Sequence, residues 1–279
     1  MARQAYVDHR TKLILFWSPK IGCTSLINWF VYGALAKPKG FIQETTPYHD
    51  ARGWLAGEGY AVNSKIALNM IKNADYETMV ITRHPATRIL SAYLNKFVLY
   101  PKKPITGYEK LEPFAAAAYR KWKNNIPVVQ AKNTYEGLSF REFLTHIKST
   151  KDACRSGEPD LDHHWSTQVP QAFIDKDFQY QNIFYLEEYQ KAIDWLNAKY
   201  GINHKMVRTN RTKYSEIKDA NVADMSSIDL ALKPELHSKE NFLQPDILEI
   251  IADIYAVDFD IFGYDKTDIA YTPNAKITA

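Results

Sequence analysis

An apolar run, a short loop and a helical pattern follow one another at residues 12–36, and this segment constrains the fold most. Residues 12–17 are almost continuously apolar, which is typical of a strand covered on both faces. The loop 18–25 reads SPKIGCTS, and apolar residues at helical spacing over 24–36 predict a helix. A strand, a loop and a helix in this order place backbone N–H groups and the positive end of a helix dipole at one point. The segment therefore predicts an anion site.

Side chains of the loop favour the same interpretation. Lys20 supplies a positive charge, Gly22 permits close approach of a ligand, and Thr24 and Ser25 supply hydroxyl donors. The lysine precedes the glycine and the chain has no Gly-Lys-Ser/Thr core, so the loop is not a Walker A motif. The alternative is a glycine-containing turn in which Ser or Thr caps the helix.

A second strand and helix are predicted within residues 77–97. Residues 79–81 form the strand and Pro85 lies near the first helical turn. Arg83 ends the strand, where the side chain would point into the crevice in which open α/β sheets bind ligands. Arg88 and Ser91 are three residues apart, on one side of the helix. Two separated anion sites suit a nucleotide with phosphates at both ends. The alternative for the second segment is a surface helix whose arginines form salt bridges.

A third strand and helix are predicted at 182–201, with Gly201 as the helix C-cap. The alternation predicts an α/β fold: a P-loop-like central parallel sheet flanked by helices, in three α/β/α layers and a single domain over 1–279. Further helices are predicted at 109–124, at 139–148 and from Pro245 to about 255, whereas 202–243 is polar and irregular.

Composition narrows the class of protein. Hydrophobic residues make up 46% of the chain, as in folded globular proteins, and the net charge of +3 argues against a nucleic-acid partner. Cys23 and Cys154 are the only cysteines, and no spacing suggests metal ligands, so neither a disulfide framework nor a metal is expected. No apolar run approaches the roughly 20 residues that span a bilayer, and no signal peptide is apparent. A soluble, cytoplasmic protein is the expectation.

These motifs carry a resemblance. "SPKIGCTSL" resembles the 5′-phosphosulfate loop of sulfotransferases that use 3′-phosphoadenosine-5′-phosphosulfate (PAPS), and "VITRHPATRILSAYLNKF" resembles their 3′-phosphate motif. The pattern is most similar to the carbohydrate branch, which includes the HNK-1, chondroitin and dermatan enzymes. Shorter matches occur in the same order: YHD at 48–50, HHW at 163–165, NRTK at 210–213 and DFDIFGYDK at 258–266.

The resemblance implies roles for individual residues. The 5′-phosphosulfate would lie against Lys20, Gly22, Cys23, Thr24 and Ser25, with Cys23 contributing its backbone N–H. The 3′-phosphate, which the product PAP retains, would be bound by Arg83 and Ser91. Arg88 would support either that phosphate or the fold, and His84 would be structural.

Transfer to a sugar hydroxyl needs a base that is neutral near pH 7, which favours histidine. His49, between the two phosphate motifs, is the first candidate, and His164 is the second. Lys20 would stabilise charge on the bridging oxygen of the donor. The implied acceptor is a glycan, and Trp165 would stack on a sugar face, although the chain's aromatics could equally be core residues. The alternatives are an ATP-dependent P-loop phosphotransferase and a non-catalytic nucleotide- or glycan-binding module.

Overall fold

The computed structural model describes residues 5–38, 47–100, 103–154, 159–205, 215 and 220–277, except the side chains of 47–50. The strands are β1 Ala5–Asp8, β2 Leu13–Phe16, β3 Ala61–Val62, β4 Glu77–Thr82, β5 Asn182–Tyr185 and β6 Lys276–Ile277. The helices are α1 Cys23–Trp29, α2 Pro47–Gly57, α3 Ser64–Ala74, α4 Pro85–Tyr93, α5 Pro113–Trp122, α6 Val128–Asn133, α7 Phe140–Asp152, α8 Gln171–Ile174, α9 Tyr189–Tyr200, α10 Ser227–Ala231, α11 Lys239–Phe242, α12 Pro245–Ile254 and α13 Ala256–Phe262.

The strands form one sheet in the order β3-β1-β2-β4-β5-β6. Its centre is parallel, since β4 pairs in parallel with β2 on one side and with β5 on the other. The predicted central parallel sheet is thus confirmed. The edges were not predicted: β1, β3 and β6 pair antiparallel with their neighbours. These strands have only two to four residues and lack the longer apolar run that identified β2.

Alternation along the central strands produces the layers. One face of the sheet is formed by Leu13, Leu15, Met79, Ile81 and Phe184, and these pack with residues of α1 and α9. The other face is formed by Ile14, Phe16, Val80, Ile183 and Tyr185, and these pack with residues of α4, α7 and α12. Because successive strand residues point to opposite faces, apolar residues at every position are buried on both sides. The predicted three-layer α/β/α arrangement is confirmed.

The helices that follow the two predicted anion-binding strands both change their winding. α1 continues into a π-helical turn at Phe30–Ala34, and α4 continues into one at Leu94–Val98. π-Helical turns are rare and often lie at functional sites. The predicted C-cap at Gly201 is confirmed, with a left-handed φ of 61°.

Elsewhere the helix boundaries differ in part from the predictions. The predicted helix at 109–124 is divided into a 3₁₀ turn, Tyr108–Lys110, and α5, which starts at Pro113 because proline suits the first helical position. The predicted last helix is α12, and α13 follows it, which was not predicted. Residues 202–243 were expected to be irregular, yet they contain α10 and α11. Within the described ranges, no helix has the length and apolarity needed to cross a membrane.

Candidate functional site

The two predicted anion sites meet at one edge of the sheet. β2 and β4 are parallel neighbours, so the loop after β2 and Arg83 after β4 emerge side by side. The Nη1 atom of Arg83 donates a hydrogen bond to the backbone oxygen of Lys20 at 3.1 Å. Its Nε atom donates to Oγ1 of Thr87 at 3.1 Å, in the first turn of α4. The guanidinium is therefore oriented by both motifs at once.

The backbone of Arg83 is fixed by Gln168. The side-chain Oε1 of Gln168 accepts from the Arg83 N–H at 3.0 Å, and its Nε2 donates to the Arg83 carbonyl at 2.8 Å. Gln168 is in turn held by the fully buried Asp258, whose carboxylate accepts from the backbone N–H groups of Gln168 and Val169. Burial raises the pKa of Asp258. The segment that follows the histidines is thereby tied to the end of β4.

The loop after β2 turns through two left-handed residues, Lys20 with φ 75° and Gly22 with φ 83°. This conformation is unusual for lysine, and such residues concentrate at functional sites. At Gly22 an added Cβ would lie 3.4 Å from Cδ1 of Leu186, so glycine also lets the turn pack closely against Leu186. Gly22 is the N-cap of α1, and no side chain caps the helix. The alternative interpretation, a Ser or Thr cap, is wrong.

Lys20 forms a hydrogen bond to a neutral side chain and no ion pair with a described carboxylate. Its Nζ atom donates to Oδ1 of Asn95 at 2.6 Å, in the π-helical turn after α4. Burial lowers the pKa of Lys20 to about 7, and the positive charges of Lys96 and Arg83 act in the same direction. A bound anion would reverse this effect, because an opposite charge stabilises the ammonium form.

Further cations surround the loop. Arg52, on α2, stacks over the Trp17 ring at 4.7 Å and directs Nη2 toward Sγ of Cys23 at 3.7 Å. Lys96 pairs with Glu112. Among the residues that the structure describes, no carboxylate forms an ion pair with Lys20, Arg52 or Arg83. This local excess of positive charge favours an anionic ligand.

A histidine held by a carboxylate lies beside these cations. Nδ1 of His164 donates to Oδ1 of Asp162 at 2.6 Å, and its ring stacks on Phe114 with centroids 4.9 Å apart. Burial lowers the pKa of His164 to about 4, and Lys96 lowers it further against the opposing effect of Asp162. The imidazole is thus neutral at pH 7, and its Nε2 makes no hydrogen bond with a described residue. Such a ring can accept a proton.

Donor atoms of Asp162, His163 and His164 lie within 4.8 Å of one another, a grouping that a metal ion could use. Two observations oppose this role. The Nδ1 of His164 already donates to Asp162. Burial lowers the pKa of His163, Asp162 opposes this effect, and the charges of Arg52, Lys96 and Arg88 add to it, so three cations already act at this position. The grouping therefore fits a hydrogen-bonded histidine better than a cation site, and the expected absence of a metal stays a prediction.

Three predicted residues of α4 and its cap are buried. Arg88 is fully buried, donates to the backbone oxygens of His164 and Ser166, and lies over the Tyr255 ring. Of its two expected roles, these contacts favour support of the fold. Ser91 is 4% exposed. His84 caps α4 by accepting from the Ala86 N–H and contacts the Asp265 carbonyl, which is a structural role as expected.

The remaining predicted residues are distributed as follows. Cys23 and Thr24 are partly exposed and Ser25 is buried, at the start of α1. His49 lies on α2, but its side chain is outside the described part of the chain, as are residues 210–213. Trp165 is 1% exposed and packs on Phe97 and Trp122, so the prediction that it stacks on a sugar is wrong.

Sequence reasoning missed several residues of this site. Asn95 lies four residues after Ser91. Helical spacing therefore indicates that the two side chains lie on the same side of the helix. Asp162 is two residues before His164, a usual spacing for a local side-chain hydrogen bond. Arg52 and Gln168 had no such signal, because their contacts join segments far apart in the sequence.

Comparison with known proteins adds one finding. A family model described as the Sulfotransferase family matches residues 3–265 of the chain. Searches of curated proteins and of solved structures found no match. The matched range contains both anion-binding motifs, the histidine segment 162–164 and Asp258.

Proposed function

The chain belongs to the sulfotransferase family, and from this premise we propose that it transfers the sulfuryl group of PAPS to an acceptor hydroxyl, with a histidine as general base. The observation that carries the proposal is the contact between the two anion-binding motifs, the Arg83 guanidinium on the Lys20 carbonyl. That contact puts a lysine-containing loop next to an arginine, which supports the binding of both ends of one adenosine nucleotide at this edge of the sheet.

The residues at this edge of the sheet fit PAPS. Gly22 has no Cβ at the start of α1, and no side chain makes a capping hydrogen bond to the N–H groups of this helix end. Lys20 and the loop 22–25 would hold the 5′-phosphosulfate, and Arg83 with Ser91 the 3′-phosphate. The buried Nε of Arg52 has no hydrogen-bond partner within the described ranges, and this favours an anion beside the loop.

The donor, when bound, supplies the sulfuryl group: its S–O bond to the 5′-phosphate breaks as the acceptor oxygen bonds to sulfur. Lys20 would stabilise the negative charge that develops on the leaving phosphate, because its ammonium lies in a partly buried site where charges interact strongly. The proton of the acceptor hydroxyl would pass to a histidine. PAP and the sulfated acceptor are the products.

His49 and His164 are the two candidates for the base. The geometry around His164 supports it, since Asp162 orients the ring and burial keeps it neutral. His49 is supported by the resemblance, which places it between the phosphate motifs. A carbohydrate acceptor is likewise supported by the resemblance to the carbohydrate branch, and the aromatic residues no longer contribute to that argument because Trp165 is buried.

Ligand-dependent stability tests the donor. PAP at one hundred times its Kd should stabilise the folded protein by about 2.7 kcal/mol, because it binds only the folded state. ATP with Mg²⁺ is the matched comparison and should give a smaller shift in Tm. A shift with ATP and Mg²⁺ but none with PAP would contradict the proposal in favour of a phosphotransferase.

Transfer of radiolabelled sulfate from PAPS across a panel of glycans and small hydroxyl compounds tests the reaction. Labelling of at least one acceptor, abolished without enzyme, is the expected result. A protein that binds PAP but labels nothing in the panel would be a non-catalytic nucleotide-binding module. Labelling confined to non-carbohydrate acceptors would contradict the proposed acceptor class alone.

Arg83→Ala should weaken PAP binding about 10- to 100-fold, the value of a hydrogen bond to a charged group. AMP, which lacks the 3′-phosphate, should bind the variant and the original protein equally, and isothermal titration measures both. Thr87→Ala removes one contact of the guanidinium without removing its charge, and serves as the control. Equal losses for PAP and AMP would show that Arg83 does not bind the 3′-phosphate.

The pH dependence of donor capture tests Lys20. Since kcat/KM reports the ionisation of the free enzyme, it should fall about tenfold per pH unit above the Lys20 pKa of about 7, where the ammonium loses its proton. Below that pH the lysine is charged and kcat/KM for PAPS should be level with respect to this group. The decline should be absent in Lys20→Ala, and a level profile in the original protein from pH 7 to 9 would contradict the assignment.

A further inference from the structure

The described residues around Arg52 do not complete the hydrogen bonds of its guanidinium. Its guanidinium is partly buried, its Nε atom is shielded from solvent without a hydrogen-bond partner, and no described carboxylate pairs with it. A buried donor left without a partner costs about 1–3 kcal/mol, more when it is charged. Such a group in a folded protein calls for a ligand that completes it.

The position of Arg52 identifies which part of a ligand it would meet. Its Nη2 faces Sγ of Cys23, in the loop proposed to hold the 5′-phosphosulfate. Its charge also lowers the pKa of His163, in addition to the effect of burial and against that of Asp162, so the guanidinium is near the histidine segment. Arg52 thus lies against the donor loop and close enough to the histidine segment for its charge to act there.

We propose that Arg52 contacts the transferring sulfuryl group, and this inference rests on the proposed function. In an in-line displacement the transferred group lies between the donor phosphate and the acceptor oxygen, and its charge is spread over three peripheral oxygens. A guanidinium presents several N–H donors in a plane that matches such oxygens. The guanidinium carbon of Arg52 lies 4.7 Å from the centroid of the Trp17 ring, a cation–π contact that helps to position the group.

The proposal separates Arg52 from Lys20 and Arg83. Those two residues are proposed to contact the 5′- and 3′-phosphates, both of which PAP retains. The sulfuryl group is present in PAPS and absent from PAP. A residue that contacts only the sulfuryl group must therefore distinguish the two nucleotides, whereas a residue that shapes the loop or stabilises the fold must affect both.

The experiment compares PAPS and PAP affinities, without acceptor, for the original protein, Arg52→Met and Arg52→Lys. Methionine retains apolar packing on Trp17 and removes the charge, and lysine keeps a charge without the fork. Arg52→Met should weaken PAPS binding about tenfold or more, the value of a charge-assisted hydrogen bond, and leave PAP binding within about twofold. The PAPS affinity of Arg52→Lys should lie between that of the original protein and that of Arg52→Met. Arg83→Ala is the matched control and should weaken both nucleotides equally.

Each outcome either supports or overturns the contact between Arg52 and the sulfuryl group. A loss confined to PAPS supports the contact. Equal losses for PAPS and PAP, or no loss for either, overturn it while leaving the proposed function in place. If the original protein binds neither nucleotide, the proposed function fails and the inference fails with it. Tm values without ligand show whether Arg52→Met is folded, and Arg52→Lys keeps the comparison available if it is not.

Discussion

Replacing Lys20 with alanine is expected to lower kcat by about two to three powers of ten, the usual effect of removing a group that stabilises developing charge. Among the described residues the ammonium has the neutral Asn95 as its hydrogen-bond partner, so we expect its charge to act on the leaving phosphate. PAP binding should weaken much less than kcat falls, because charge builds on the bridging oxygen in the transition state. Single-turnover rates and PAP titration measure the two effects separately.

Asn95→Ala is the control for this assignment. It removes the hydrogen-bond partner of Lys20 and leaves the ammonium in place, so kcat should fall by less than in Lys20→Ala. A Lys20→Ala protein that loses donor affinity but keeps its kcat would show that the lysine binds the donor uniformly and does not act on the leaving group.

Alanine at the histidine that takes the acceptor proton is expected to lower kcat by about two to four powers of ten, the typical effect of a lost general base. PAP binding should be retained, since the base is expected to act on the acceptor hydroxyl and not on the nucleotide. His49→Ala and His164→Ala are made in parallel, and the one that loses turnover identifies the base. Near-full activity in both variants would refute a histidine base.

Two measurements separate the candidates. Asp162→Asn should lower kcat if His164 is the base, because it weakens the hydrogen bond that orients the ring, and should have little effect if His49 is the base. The acidic limb of the kcat/KM profile also differs. With His164, activity should persist toward its pKa of about 4, below which the imidazole is protonated. With a histidine of ordinary pKa, about 6.5, activity should fall from there.

The central part of this fold could be predicted because its signals are local. Apolar residues at 12–17 and 79–81 identified β2 and β4, and parallel pairing then placed Arg83 beside the loop of Lys20. β1 was not predicted, because its four residues lie in a polar terminus and show no clear hydrophobic periodicity. The π-helical turn at Leu94–Val98 also carries no sequence signal, and it contains both Asn95 and Lys96.

Contacts between distant segments set the rest of the site. Trp165 resembles a sugar-stacking residue in sequence, and only its burial among Phe97, Trp122 and Phe143 shows it to be part of the core. Arg88 is part of the 3′-phosphate motif in the sequence, yet its guanidinium donates to the backbone of the histidine segment. Which of several polar side chains faces the ligand depends on packing that residue spacing does not encode.

A crystal structure of the complex with PAP tests the central claim most directly. We expect the 5′-phosphate against Lys20 and the N–H groups that begin α1, and the 3′-phosphate against Arg83. The nucleotide would then bridge the ends of β2 and β4, with the contact between Arg83 and the Lys20 carbonyl beneath it. PAP bound at another place in the molecule, or with neither phosphate on these residues, would contradict the account.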